Sequence, residues 1–329
     1  MSTFISATHG ALVRSSEVNG SWKVETVYTG SQPHAIAAHP NDSLRFLAGT
    51  DSGIIESRDG GATWAPLAMQ DRIIKSLAFN PQNPSIVYAG TKPAFMFMSQ
   101  DGGTTWEELT GFRRIPGRWW WFSPAEKPFK AYVQQIAISP DDPNVVLAGI
   151  EFGAIVRSAD GGQTWSGHRK GALRDCHSLQ FHHSNGMYAY EGGGTGRGAA
   201  ISRDGGLTWT RPKKNIRKGY GWACASDPHD PETWYGSVSS GPFKGHSLSG
   251  NSDSYLVRFK GDGGQVMNGG LPIVLPFMPY VILPSAKNAG TIYAAMSNGD
   301  IWQSANSGDD WQQLPVNAGD VLRTMLLVE

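Results

Sequence analysis

Histidines and carboxylates are the side chains best able to move protons near neutral pH. In this 329-residue chain the candidate catalytic set is His34, His177, Glu151, Glu191 and Asp175. The two histidines would act as general base or as metal ligands, and a carboxylic acid would come from Glu151, Glu191 or Asp175. Residues suited to holding a substrate accompany them: Lys75 and Arg323 for an anionic group, Gln134 and Arg197 for polar contacts, and Trp222, Tyr220 and Trp120 for flat surfaces. No HxH or HExxH spacing joins the histidines, so a divalent metal stays an unassigned cofactor. These residues lie far apart in sequence, and only the fold can bring them together.

The elements that must do so are announced by a repeated phrase. SRDGGATW at Ser57 returns as SQDGGTTW at Ser99, SADGGQTW at Ser158, SRDGGLTW at Ser202 and, blurred, SANSGDDW at Ser304. The surroundings recur as well; compare SLAFNPQNPSIVYAG at Ser76 with QIAISPDDPNVVLAG at Gln135. Short β-branched and aromatic runs broken by Gly, Pro, Asn and Asp mark strands, and no stretch holds a helical apolar period. Four short strands repeating every 40 to 45 residues or so indicate propeller blades.

Six complete blades are expected over about 32–67, 73–109, 131–168, 174–211, 219–269 and 278–314. A seventh is composite, 4–28 plus 321–329, its first strand supplied by the C-terminus so that the ring has no open edge. The expectation is a single all-β domain over 1–329: a seven-bladed β-propeller of four-stranded antiparallel blades, closed by N- and C-terminal strands. Within the phrase, Asp59 would accept backbone N–H bonds, Gly60 or Gly61 would take positive φ, and Trp64 would wedge between blades.

Ser-x-Asp-x-Gly-x-x-Trp resembles the Asp-box, or BNR repeat, of sialidase-like propellers, over nearly the whole chain. Similar propellers include sialidases, xyloglucan-cleaving hydrolases, sortilin-type receptors and photosystem II assembly factors, so the motif specifies fold far better than function. The resemblance implies that the Asp-boxes sit between third and fourth strands, away from the ligand face, and that Asp59, Asp101, Asp160 and Asp204 are not catalytic. Arg114-Ile115-Pro116 resembles the Arg-Ile-Pro motif of sialidases, but it follows two Asp-boxes instead of preceding them, and no Tyr nucleophile with an acidic partner can be matched.

The opposite face is where a site is expected. Counting back six residues from the Pro after each first strand gives His34, Lys75, Gln134 and Trp222, and the same count from His183 gives His177. The last strand offers Leu322 or Arg323. Loops add Glu151, Glu191, Arg197, Asp175 and Tyr220 to the same mouth of the tunnel. The segment TGFRRIPGRWWWFSPAEKPFKAYV cannot turn all of Trp119, Trp120 and Trp121 to one side of a strand, so at least one is expected to meet a ligand, a partner or the rim of the site. EGGGTGRGAA leads into a strand, not a helix N-terminus, and is no dinucleotide fingerprint.

Mixed charge, aromatic faces and two histidines at one mouth favour an enzyme: a hydrolase or lyase acting by His/carboxylate chemistry on a small polar or carbohydrate-like substrate. The alternative is a non-catalytic recognition or assembly-factor propeller that binds a protein partner. A tunnel mouth whose polar groups are simply solvated is the plain competitor to both. The balance of 28 basic against 28 acidic residues argues against nucleic-acid and membrane-surface partners. The absence of an apolar leader and of a cysteine framework makes a cytoplasmic protein the expectation.

Overall fold

The structure, a computed structural model, describes residues 2–194, 198–213, 218–322 and 324–329. Seven antiparallel sheets stand in a ring, each with its first strand innermost. These inner strands are Pro33–Ala38, Ile73–Phe79, Val133–Ile138, Cys176–His182, Tyr220–Ser226, Pro279–Pro284 and Met325–Val328. Each lies beside the next, and the last returns to the first. Together they line a tunnel of about 250 Å³.

Thr3–Thr8 pairs antiparallel with Met325–Val328, Thr3 opposite Val328 and Ser6 opposite Met325, so one blade is built from both ends of the chain. The ring therefore has no unpaired inner edge. Two blades, those beginning with Val133–Ile138 and Cys176–His182, have three regular strands. Their fourth strand is reduced to scattered pairings, such as Ser166 N–H to Arg157 O, Arg169 N–H to Ile155 O, and the Ile201–Thr210 bridge.

A four-stranded sheet cannot bury both faces alone, and the apolar clusters accordingly form between blades. Tyr88 and Met96 of one blade pack with Val133, Val146 and Val156 of the next. Trp64 packs against the cluster of Ile5 and Leu12 in the closing blade, as a wedge should.

The repeated phrase closes the turn between third and fourth strands. Ser158 Oγ donates to Asp160 Oδ1 at 2.7 Å and accepts the Gly162 N–H at 2.8 Å. Asp160 in turn accepts the Thr164 N–H at 2.8 Å, and the Trp165 indole donates to Gly162 O at 2.8 Å. Gly161 and Gly162 take φ of 67° and 92°, which a side chain would oppose. The blurred copy keeps the plan with an amide in place of the carboxylate: Asn306 Oδ1 accepts from Ser304 Oγ and from the Asp310 N–H, both at 2.9 Å.

Candidate functional site at the tunnel mouth

Away from the Asp-box turns, six of the seven inner strands share a defect. Their ladders skip between Pro33 and Ala35, Ile74 and Ser76, Val133 and Gln135, Cys176 and Ser178, Gly221 and Cys224, and Pro279 and Val281. The residues passed over are His34, Lys75, Gln134, His177, Trp222 (with Ala223) and Tyr280. A bulge twists the strand and re-aims one side chain out of the alternating pattern. Five of the six are the residues that counting back from the following Pro or His picks out. All but Gln134 line a cavity of about 800 Å³ at the mouth. Gln134 lies deeper, along the tunnel, its Nε2 donating to the His177 carbonyl at 3.2 Å.

One side of the cavity is charged. Lys75 is buried, with Nζ 2.8 Å from Glu126 Oε1 and 3.3 Å from His34 Nε2. Lys92 Nζ reaches Glu126 Oε2 at 3.5 Å. His34 Nε2 meets Asp51 Oδ1 at 2.6 Å. Two ammonium groups thus converge on one carboxylate, and Tyr132 offers its ring 5.1 Å from Lys75 Nζ.

The opposite side is aromatic. The Trp222 ring lies 4.5 Å from the His177 ring, 4.6 Å from that of His246 and 5.1 Å from that of Tyr280. A polar chain stiffens this wall: the His246 imidazole bridges the Tyr220 hydroxyl at 2.6 Å and the Tyr280 hydroxyl at 2.5 Å.

Between the two sides lies a buried triad. His177 Nδ1 donates to the Gly221 carbonyl at 2.7 Å, while Nε2 faces Asp175 Oδ1 at 3.5 Å and Glu151 Oε2 at 3.9 Å. Burial pulls the His177 pKa down, but the Asp175 contact and the two carboxylate charges outweigh it, and the pKa stands above the ordinary value.

The other candidates are dispersed. Glu191 is fully buried inside its blade, where Oε2 accepts the Leu173 N–H at 2.9 Å, and burial raises its pKa well above the usual carboxylate range. It does not line the cavity. Trp120 borders a separate cavity of about 780 Å³ with Pro116, Phe152, His168 and Arg174. In its loop Trp121 turns inward onto Phe112, whereas Trp119 and Trp120 stack on each other at 4.2 Å, more than two-thirds exposed. Arg197 and Arg323 lie outside the described residues.

Sequence reasoning missed Tyr280 and Glu126, whereas His246 is among the residues that the loops between second and third strands are expected to bring to this face. Tyr280 had a signal: Ala286 stands where other blades have Pro, and the same count of six from it reaches Tyr280. Glu126 enters from a long interblade insertion that carries no blade register.

The family model described as "Photosynthesis system II assembly factor YCF48" matches residues 14–189, more than half of the chain. The chain belongs to the YCF48 family. Among solved structures, "YCF48 bound to D1 peptide" is similar at 15% identity with a TM-score of 0.57, over 95% of this chain and 85% of that one. YCF48 from Cyanidioschyzon merolae is similar at 15% identity with a TM-score of 0.61, over 90% and 89%. An ancestral GH74 enzyme gives 15% identity and a TM-score of 0.62, over 94% of this chain but 44% of its own. At such identities these likenesses show the propeller fold alone. No curated protein matches significantly.

YCF48 membership corrects two expectations. The favoured reading, a hydrolase or lyase working on a small polar or carbohydrate-like substrate, gives way, because the matched family is one of assembly factors. The expected small-molecule or carbohydrate partner falls with it, since the solved YCF48 complex contains a peptide. Histidines and carboxylates at a tunnel mouth suit recognition as well as proton transfer, and residue type alone does not separate the two.

Proposed function

We propose that this YCF48-family propeller is a non-catalytic recognition protein that holds a segment of a partner protein at the tunnel mouth. Membership of an assembly-factor family supports this reading. The observation that carries it is the bulge ring, which places the aromatic wall of Trp222 and Tyr280 and the ammonium group of Lys75 around one cavity of about 800 Å³. An extended segment offers what such a cavity accepts: an apolar or planar side chain for the aromatic wall and a carboxylate for the cations. Glu126 already fills the carboxylate position on Lys75 and Lys92, and a partner's carboxylate competes for it. His34 and Tyr220 stand at the edges of the same contact.

The test is an array of extended peptides, D1 segments included, probed with the wild-type chain and with the Trp222→Ala and Lys75→Gln variants. A discrete subset of peptides is expected to bind the wild type and to lose at least about tenfold in affinity in each variant, the usual penalty for removing an anchor. Thermal unfolding of both variants checks that they are folded. Binding of no peptide, or binding unchanged in folded variants, rules the reading out.

A further inference from the structure

The Glu151, Asp175 and His177 side chains each present a ligand atom within 4.8 Å of the other two, and all three residues are buried. We propose that they form a site for a single divalent cation of the zinc class, with the fourth coordination position facing the tunnel-mouth cavity. This inference goes beyond the peptide-binding reading and does not depend on it.

Three features of the geometry carry it. The first is the tautomer. Because Nδ1 donates to the Gly221 carbonyl at 2.7 Å, Nε2 is the ring nitrogen left to face the two carboxylates and to bind a cation placed between them. A backbone carbonyl on the far nitrogen is also the usual outer partner of a metal-bound histidine.

The second is spacing. Separations of 3.5 Å to Asp175 and 3.9 Å to Glu151 exceed an ordinary N–H···O bond. The Asp175 separation matches the edge of a tetrahedron, roughly 3.3 to 3.6 Å, around an ion with bonds of about 2.0 to 2.2 Å, and the Glu151 separation is slightly longer than that edge.

The third is rigidity. His177 sits on its bulge. Glu151, at the end of the strand Val146–Ile150, has its N–H tied to the Tyr132 carbonyl at 3.1 Å. Asp175 is tied through its carbonyl to the Gly194 N–H at 2.9 Å. A Cβ on Gly194 would meet Asp175 Oδ2 at 1.9 Å, so only glycine leaves that carboxylate its place. Three preset ligands with an open side match sites that keep one position for water. One imidazole and two carboxylates favour a borderline first-row cation over Mg²⁺ or Ca²⁺, which prefer all-oxygen shells.

The experiment uses the full chain, stripped with chelator and titrated with Zn²⁺ by calorimetry, with bound metal counted by elemental analysis. Wild type should take one equivalent. Asp175→Asn and Glu151→Gln, which keep the side-chain shapes, should each weaken binding at least about tenfold, in line with what mutations around metal sites cost. Less than one equivalent in wild type, or equal affinity in all three proteins, overturns the proposal. Should either variant fail to fold, Co²⁺ in the wild type decides. The intense visible bands of a four-coordinate N/O site without a thiolate charge-transfer band support it; a six-coordinate spectrum or a thiolate band refutes it.

Discussion

A single buried hydroxyl holds each Asp-box turn together. Ser158 gives its proton to Asp160 and takes the N–H of Gly162, and both bonds lie in a turn that must reverse the chain tightly. Ser158→Ala leaves the buried Gly162 N–H without that acceptor, at a cost of about 1 to 2 kcal/mol. Urea unfolding should show this as a lower midpoint with an unchanged slope, and the variant should bind partner peptides as the wild type does, because the turn is remote from the mouth. The blurred repeat explains what the phrase requires. Asn306 accepts the same two bonds as an aspartate, so the need is for a correctly placed oxygen more than for a charge. That is why the motif announces architecture and says little about chemistry. At the mouth the same scale has the opposite character: Lys75, His177 and Trp222 matter for where a bulge points them, and a residue letter does not encode a direction.

The strand is the scale at which the sequence is most informative. The alternation of apolar runs with Asp-box turns places the inner strands, and the residue just beyond them, Pro in four blades and His183 in a fifth, fixes a register that identifies five bulge residues. The register fails where its anchor fails: Ala286 replaces Pro, and Tyr280 goes unnoticed. The fourth strands of two blades are weak because the chain after Trp165 and Trp209 pairs with the third strand at few points. The loop order brings His246 to the mouth face, but periodicity cannot foresee Glu126, which a long interblade insertion brings there by tertiary packing alone. The composite blade is legible from FISATHGALVRSSEVNGSW, where Ser15 and Trp22 keep the spacing of Ser57 and Trp64, with VLRTMLLVE left to supply its first strand. Its strand Met325–Val328 hydrogen-bonds with Thr3–Thr8 and buries Met325. Deleting the chain from residue 324 onward uncovers Thr3–Thr8 as an inner edge. A loss of several kcal/mol would lower Tm by about 10 °C in a protein of this size. Calorimetry should show that drop, and light scattering should show association through the exposed edge.

On the scale of the whole molecule the two faces of the ring have separate duties. One carries the Asp-box turn, which repeats in five blades because each needs the same closure. The other carries side chains that differ from blade to blade: lysine and histidine on one side, tryptophan and tyrosines opposite, and a carboxylate–imidazole triad between them. A symmetric scaffold with an asymmetric mouth suits recognition of one irregular object, and membership of the YCF48 family is consistent with a protein segment as that object. Hydrogen exchange of the full chain, with and without a peptide selected from the array, tests this most directly, because it reports each face separately. Slowed exchange is expected at the bulges around Lys75, His177 and Trp222, and at His246, with the Asp-box turns unchanged. Protection confined to the Asp-box turns or to the Trp119–Trp120 loop, or none anywhere at saturating peptide, would contradict the account.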